Sequence, residues 1–292
     1  YIVYSSFDCK TIGENLTSII KEEVYIYRNT NNLYIEIENK NIYAFSAYNI
    51  LSKQSVLKNN FLIPIAYYFD DEILEIDVSF NGSFLISGDR NSGVKNFVAY
   101  YIYSHYIKMD PNLYEFYLYD RDKEFVNYKK IFKETFNSDI NSIISIIQNN
   151  IDSRYMLFRE RHVKTIDEYN YSFNSNDERA KNSLKRLNYI LYFNDNYENK
   201  DIEDKIIYFI QACKDVGINI ILISRNLENF STILISSFEK RIIFSLKKKE
   251  MSKLALDSSY ACVLKYPGEA IYYKNGLKRR VQCPKLLVDI EN

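Results

Sequence analysis

The sequence predicts an α/β fold: a mostly parallel central sheet flanked by helices, with a small β-rich extension ahead of it. Three observations predict this. After residue 84, short uninterrupted apolar runs alternate with stretches of helical periodicity, the pattern of a parallel sheet covered on both faces. Polar residues gather where those runs end, at Ser87-Gly88, Asp120, Asp195 and Ser224-Arg225. In open α/β sheets that edge is where ligands bind. Finally, Phe84 to Phe97 reads as a strand, a glycine-bounded turn and the start of a helix.

The elements follow in order. Residues 13–21 carry a helical pattern. Val24-Tyr25-Ile26-Tyr27 and Leu33-Tyr34-Ile35-Glu36-Ile37 surround the turn Asn29-Thr30-Asn31-Asn32 and read as a hairpin. Residues 42–48 form a third run of strand character. Leu62-Ile63-Pro64-Ile65 is short and apolar, and Pro64 demotes it to an edge or a loop. Residues 73–80 alternate. The strand at 84–87 leads through Gly88 and Gly93 into a helix over 94–107, and a second buried strand over 115–119 ends at Asp120. Ile140, Ile143, Ile144, Ile147 and Ile151 recur at helical spacing, which predicts helix over most of 139–166. Residues 174–186 are polar and read as a loop leading into a helix, ahead of the run Tyr189-Ile190-Leu191-Tyr192-Phe193. Residues 201–216 are helical up to Gly217, a suitable stop. Strands at 218–223 and 241–246 bracket a short helix at 230–238, and a helical turn follows at 250–256. Asn275-Gly276 is a hairpin turn between 270–273 and 278–282.

Composition narrows the function. The 292 residues suffice for one large core, or one domain with an appendage. Hydrophobic residues make up 47%, including 28 Tyr and 18 Phe, so the chain is globular. Lys+Arg and Asp+Glu are both 38, so no whole-chain footprint for nucleic acid exists. The clusters Lys247-Lys248-Lys249 and Arg279-Arg280 are short enough to be solvated faces. The tyrosines fall at periodic positions, as packing requires, so base stacking is not needed to explain them. Cys9, Cys213, Cys262 and Cys283 are scattered, which suits reduced thiols. Two histidines, His105 and His162, on separate segments make a His-based metal site unsuitable. No apolar run reaches the roughly 18 residues of a membrane span, and no signal peptide opens the chain. A start at Tyr1 is what a piece of a longer protein would show.

The loop at 88–95 follows the P-loop pattern G-x-x-x-x-G-K-[ST] in its glycines, Gly88 and Gly93, with Asp89, Arg90, Asn91 and Ser92 between them. The lysine position holds Val94 and the hydroxyl position holds Lys95, followed by Asn96. In a working loop backbone N–H groups hold phosphates, the lysine reaches the β/γ-phosphates, and the hydroxyl binds Mg²⁺. Backbone and helix N-terminus remain and favour an anion. Asn91 tolerates positive φ. Lys95 sits one position late, about 100° around a helix, which predicts a side chain turned elsewhere.

Several segments together resemble the FtsK/SpoIIIE-type ATPases. Ile63-Pro64-Ile65 with the strand–loop 84–97 is similar to that family's nucleotide-binding opening. Arg154-Tyr155, Val163, Ile166 and Tyr169-Asn170 resemble its "RY…VRxIxxYN" helix. Gly217 to Arg225 resembles its "GIHLIxATQ" strand, and Lys240-Arg241-Ile242-Ile243-Phe244 its "xRIAF" strand. Asn196-Tyr197-Glu198, Pro267-Gly268-Glu269-Ala270-Ile271-Tyr272-Tyr273 and Val281-Gln282 are most similar to the last, degenerate ATPase module of the EssC/YukB secretion ATPases of type VII systems.

The resemblance implies a RecA-like P-loop NTPase fold over 61–292, with 1–60 as lead-in from a preceding module. It places Asp195-Asn196 where the family has Asp-Glu, or Asn194 at the Asp position in a register one residue earlier: Asp195 would order Mg²⁺ and its waters, and Asn196 cannot act as the base. The polar strand end alone reads equally well as a surface feature. Arg225 stands where the family has Gln, and either contacts phosphate or pairs with Asp195 and fills the site. Arg241 is either a charge presented to a neighbouring subunit or a rim residue. The implied activity is that of a non-hydrolysing module acting in substrate docking or regulation, with ATP and Mg²⁺ bound weakly or not at all; the alternative is an active ATP-driven translocase, of protein or less readily of DNA, with an unorthodox P-loop. Implied partners are secreted helical substrates, adjacent ATPase modules and copies in a hexameric ring, without nucleic acid. The implied place is the cytoplasmic face of the cell membrane, in a longer membrane-anchored protein. The aromatic segments 230–238 and 266–273 either form a groove for a helical segment or close the core against 1–60.

Charge balance predicts weak binding to duplex DNA. A titration at about 150 mM salt should stay above micromolar Kd, and sub-micromolar binding with a steep salt dependence would contradict it.

Overall fold

A computed structural model describes residues 9–20, 24–29, 32–37, 47–52, 62–68, 72–79, 82–173, 175–194 and 200–286. The chain divides into two compact units, Tyr1–Ala44 and Phe45–Asn292. The first contains helix α1 (Cys9–Ile20) and an antiparallel hairpin, β1 (Val24–Asn29) with β2 (Asn32–Ile37). Its helix crosses the hairpin at Gly13, where a Cβ would meet the Val24 carbonyl at 3.1 Å.

The second unit runs α2 (Ala47–Ser52), β3 (Leu62–Tyr67), β4 (Ile73–Asp77), β5 (Phe84–Ser87), α3 (Val94–Lys108), β6 (Tyr114–Asp120) and β7 (Glu134–Phe136). It continues through α4 (Ile140–Arg161), α5 (Ile166–Tyr171), α6 (Asn176–Asn182), β8 (Arg186–Phe193), α7 (Lys200–Val216) and β9 (Ile218–Ser224). It closes with α8 (Thr232–Ser237), β10 (Lys240–Phe244), α9 (Lys249–Leu256), β11 (Glu269–Lys274) and β12 (Leu277–Gln282).

One ten-stranded sheet, in the order β4-β3-β12-β11-β10-β5-β9-β8-β6-β7, organises this unit. The ladders from β10 to β7 are all parallel. Those from β10 outward to β4 are antiparallel. The central strands read as unbroken apolar runs because both faces are covered. Alternate residues feed opposite cores: Tyr189 and Leu191 of β8 join the layer under α4 and α7, while Ile190 and Tyr192 join the layer under α3. Leaving β5, the chain crosses through α3 to β6; leaving β9, it turns the other way to β10. The strand order therefore reverses beside β5, which places a crevice at the carboxyl ends of β5 and β9.

Several elements differ from the sequence expectation. Leu62–Tyr67 is a strand inside the sheet, not an edge. Pro64 is tolerated because the β3–β4 register shifts there, and the ladder to β12 is the single pair Gln282↔Tyr67. Of the third run, 42–46 lie outside the described residues, while Ala47 and Tyr48 open α2, which buries Ala47 and Ile50 one turn apart. The long helix at 139–166 breaks at His162, φ 56, and Thr165 caps a separate α5. The Asn275-Gly276 turn has positive φ at both residues, 50 and 86, as a type I′ hairpin requires.

Helix α3 is buried nearly all round, so it carries aromatics where a surface helix would carry charge. Tyr101 meets Phe84 edge-on at 5.0 Å, and His105 sits between Tyr101 at 4.1 Å and Phe116 at 5.0 Å. The His105 Nδ1 lies 2.8 Å from the Tyr101 carbonyl. A carbonyl only accepts, so Nδ1 carries the proton and Nε2 is a bare acceptor among apolar walls. Burial pushes the imidazole down from 6.5 to about 4.

This slot predicts a pH dependence. Between the unfolded value of 6.5 and the folded value of about 4, the unfolded chain binds a proton that the native one does not. Stability should therefore fall as pH drops through that window, by about 3 kcal/mol in total, and level off below it. Urea denaturation of the wild type and His105→Phe across pH 7 to 4 should show a shallower decline in the variant; parallel curves would contradict the assignment.

Candidate functional site

Strand β5 ends at the fully buried Ser87, and the chain turns through 88–93 into α3. The loop is fastened from several sides. Asp89 N–H donates to the Ser245 carbonyl at 2.9 Å, and Asp89 Oδ2 accepts the Lys247 N–H at 2.7 Å. Ser92 N–H donates to Asp89 O at 3.2 Å, and Ser92 O accepts the Gly268 N–H at 2.9 Å. Asn91 adopts φ 66. Gly93, at φ 109, lies against a second glycine: a Cβ would stand 2.6 Å from the Gly268 nitrogen. Only glycine fits there, on both counts. No side chain caps α3, so its first N–H groups have neither helical partner nor cap side chain.

The tail that meets Gly93 is itself pinned. Glu269 Oε2 accepts the N–H groups of Lys265 at 2.9 Å and Tyr266 at 3.1 Å, while Oε1 accepts Arg280 Nη2 at 2.7 Å. This carboxylate bends the chain over 265–268 and presents Gly268 to the loop.

Beside the loop opens a cleft of about 840 Å³, lined among others by Arg90, Asn91, Lys95, Asn96, Glu124 and Arg225. Glu124 is its centre. Its Oε2 lies 3.2 Å from Lys95 Nζ and 2.9 Å from Arg225 Nη2. Arg225 Nη1 donates to Asn194 Oδ1 at 2.8 Å, and its guanidinium lies 5.8 Å from the centre of the Tyr192 ring. Asp120, at the end of β6, fixes the start of the Glu124 segment: its Oδ2 accepts the Phe125 N–H at 2.8 Å. Burial raises the Asp120 carboxyl above its ordinary 3.8.

The expected site residues fall as follows. Gly88 to Gly93 form the loop. Val94 is buried in the core under α3, so the lysine position presents methyl groups. Lys95 does not turn away; it lines the cleft and pairs with Glu124, because its flexible four-carbon stem reaches back where the Cα position alone would not. Asn96 Nδ2 donates to the Pro284 carbonyl at 3.1 Å. Asp195 and Asn196 lie outside the described residues. Arg225 fills the cleft from inside, through Glu124 and Asn194. Glu124 was missed by sequence reasoning. Its signal was an acid four residues beyond the polar strand end Asp120, at the sheet edge where ligands gather.

Other singled-out residues are structural. Arg154 is buried and donates to the carbonyls of Lys185, Val216 and Gly217, clamping the starts of β8 and β9. Asn170 both donates to Leu184 O at 3.0 Å and accepts its N–H at 2.8 Å. Arg241 is neither a rim residue nor a presented charge. It is buried, donates to Phe238 O at 2.9 Å and Ala255 O at 2.7 Å, and lies 4.4 Å from the centre of the Tyr273 ring. Of the aromatic segments, Phe230, Phe238, Tyr272 and Tyr273 are core, whereas Ile233 is 70% exposed. Ile233 borders a shallow cleft of about 510 Å³ with Glu203, Asp204, Ile207, Glu228 and Phe230.

Mg²⁺ asks for several oxygen ligands in near-octahedral array. Among the described residues no group of three or more His, Cys, Asp or Glu can hold a metal, and the cleft's central carboxylate is tied to two cations. Uncapped N–H groups flanked by Lys95 and Arg225 fit an oligophosphate.

A mostly parallel sheet carrying a glycine loop and helix at its switch point has the arrangement of the RecA-like P-loop fold. Solved structures agree. EssC (ATPases 2 and 3) from Geobacillus thermodenitrificans superposes with a TM-score of 0.67 at 16% identity, over 80% of this chain and 46% of that one. The pCW3 conjugation coupling protein TcpA, in monomer form with ATPγS, gives 0.66 at 14%, over 94% and 81%. Thermomonospora curvata EccC (ATPases 2 and 3), in complex with a signal sequence peptide, gives 0.59 at 14%, over 84% and 44%. The chain thus spans less than half of the EssC and EccC structures it matches, and at these identities the likeness is one of fold. No protein-family model and no curated protein matches the chain.

The contact between Gly93 and Gly268 predicts a cost. Gly93→Ala should lose about 2 kcal/mol or more, lowering Tm by roughly 4–8 °C. Gly276→Ala has a similar positive φ but nothing within 4 Å of its Cβ. It should therefore cost clearly less in the same thermal melts, and equal losses would mean that strain alone decides.

Proposed function

We propose that this chain is a degenerate, non-hydrolysing ATPase module of a type VII protein secretion motor, one that works by docking partners. The observation that carries the reading is the occupancy of the cleft by its own side chains: Val94 removes the lysine, and Glu124 holds Lys95 and Arg225 together. Fold likeness to EssC and EccC supports the secretion setting. In this reading residues 1–60 lead in from a preceding module, and neighbouring modules and ring copies come with a longer chain. No helix among the described residues is long and apolar enough to cross a membrane. A place on the cytoplasmic face of the membrane would rest on an anchor elsewhere in that longer protein.

The docking partner is a helical segment of a secreted protein. The EccC structure holds a signal sequence peptide. Here the shallow cleft at Ile207, Phe230 and Ile233, with Asp204 and Glu228 exposed at its margin, suits an apolar helix face flanked by basic residues. A second reading, a DNA translocase module, is kept beside it because the match to the conjugation coupling protein TcpA is extensive; the charge balance weighs against it.

Two measurements test the proposal together. Phosphate release with ATP and Mg²⁺ should stay at background; turnover of about one per second that Asp195→Ala abolishes would overturn it. Calorimetry should show a secreted substrate binding with or without ATP, and Ile233→Asp should weaken that binding about tenfold. Tight duplex DNA binding in place of substrate binding would favour the second reading.

A further inference from the structure

Beyond β12 the chain is led to the cleft by its backbone. Cys283 N–H donates to the Gly268 carbonyl at 2.8 Å, the Pro284 carbonyl accepts Asn96 Nδ2 at 3.1 Å, and the Lys285 carbonyl accepts the Ala47 N–H at 2.9 Å. Three consecutive residues are thus held, and the path crosses the first turn of α3. The next residue, Leu286, lines the cleft together with Lys95 and Ala99 of α3 and Tyr128 of the 3-10 turn Val126–Ile131. The sequence continues as Leu287-Val288-Asp289-Ile290-Glu291-Asn292, outside the described residues. At roughly 3.3–3.6 Å per extended residue, Asp289 can reach about 10 Å from Leu286 and Glu291 about 17 Å.

We propose that residues 287–292 dock into this cleft as its intramolecular occupant and close it to other acidic ligands until they withdraw. The match has two sides. In an extended segment Val288 and Ile290 face one way, Asp289 and Glu291 the other. The cleft is divided likewise, with an apolar wall of Ala99, Phe125 and Tyr128 and the exposed cations Arg90 and Lys95. Among the described residues, its charged lining is Arg90, Lys95 and Arg225 against Asp89 and Glu124, so one positive charge is in excess with every carboxylate counted. Lys95 is the receiving group. Its side chain remains 56% exposed while paired with Glu124. An ammonium has three donors, so it takes a second carboxylate without giving up the first. The tether does the rest: a short segment anchored at the cleft wall meets it at an effective concentration on the order of mM, which populates a contact too weak for a free peptide. This goes beyond the proposed function and does not depend on the loss of hydrolysis.

The test is carbodiimide cross-linking of the full chain, which joins a carboxylate to an amine in contact, read by peptide mass spectrometry. Lys95 should be found linked to Asp289 or Glu291, beside the link to Glu124 that their 3.2 Å separation provides. The link to 287–292 should not depend on protein concentration. Hydrogen exchange gives a second readout. The N–H groups of Lys95 and Asn96 have no helical partner, so a docked segment should shield them. In the full chain carrying Asp289→Asn, Ile290→Ser and Glu291→Gln, their exchange should rise about fivefold. Absence of any link from Lys95 to Asp289 or Glu291 in the wild type would overturn the proposal, and needs no variant. A link that fades on dilution would also overturn it, because the donor would then be a second copy. Equal exchange in the variant and the wild type would do the same. Phosphate release decides the non-hydrolysing reading separately, since neither readout here depends on turnover.

Discussion

Two glycine backbones in contact hold the cleft edge of this protein together. Gly93 and Gly268 approach so closely that neither the loop nor the tail can shift independently, since a single Cβ would not fit between them. The loop is the exit of β5 in the parallel part of the sheet. The tail is the entrance of β11 in the antiparallel part. Their contact ties the two halves of the sheet at the cleft, and the Glu269–Arg280 pair keeps the tail bent toward it. Glu269 is buried and the Arg280 side chain mostly so, 6% and 10% exposed, so a lone partner would leave a largely desolvated charge and the bend is favoured.

Buried cations elsewhere show what separates Arg225 from the others. Arg154 and Arg241 spend their guanidinium groups on backbone carbonyls at strand and helix ends, and burial lowers the affinity of each for its proton. They brace the sheet and have nothing left for a ligand. Arg225 sits at a strand end facing the cleft, and its partners are side chains. Side-chain partners can exchange for a ligand's oxygens; backbone carbonyls in a folded sheet cannot.

In the proposed reading, a P-loop becomes a self-filled cleft through few changes. A valine at the lysine position joins the core under α3. A lysine one residue later reaches the cleft by its length. The negative charge that phosphate would supply is met by Glu124. Backbone geometry, the uncapped helix start and the glycine contact are those of such a loop, so in that reading the site keeps its shape while a side chain occupies it.

How much was legible in the sequence follows from the range of the forces involved. Central strands, their polar ends and the glycine loop are local: unbroken apolar runs specify burial on both faces, and glycine spacing specifies a turn. The Asn275-Gly276 hairpin and the Gly217 stop are local in the same sense. The place of Pro64 inside the sheet was not legible, because a register shift with β4 and a minimal ladder to β12 make room for it. Nor was the fate of the terminal aromatics, which depends on which face of α8 and β11 meets the core. The Lys95–Glu124–Arg225 cluster is the clearest case. Its members come from three crossovers, far apart in the chain, and lie together only because the strand order reverses beside β5. The sequence by itself determined the sheet, the loop and the valine at its sixth position after Gly88. Only the tertiary structure decided what stands in the cleft, because pairing between charges depends on distances that parallel strands set across the sheet and no local pattern encodes.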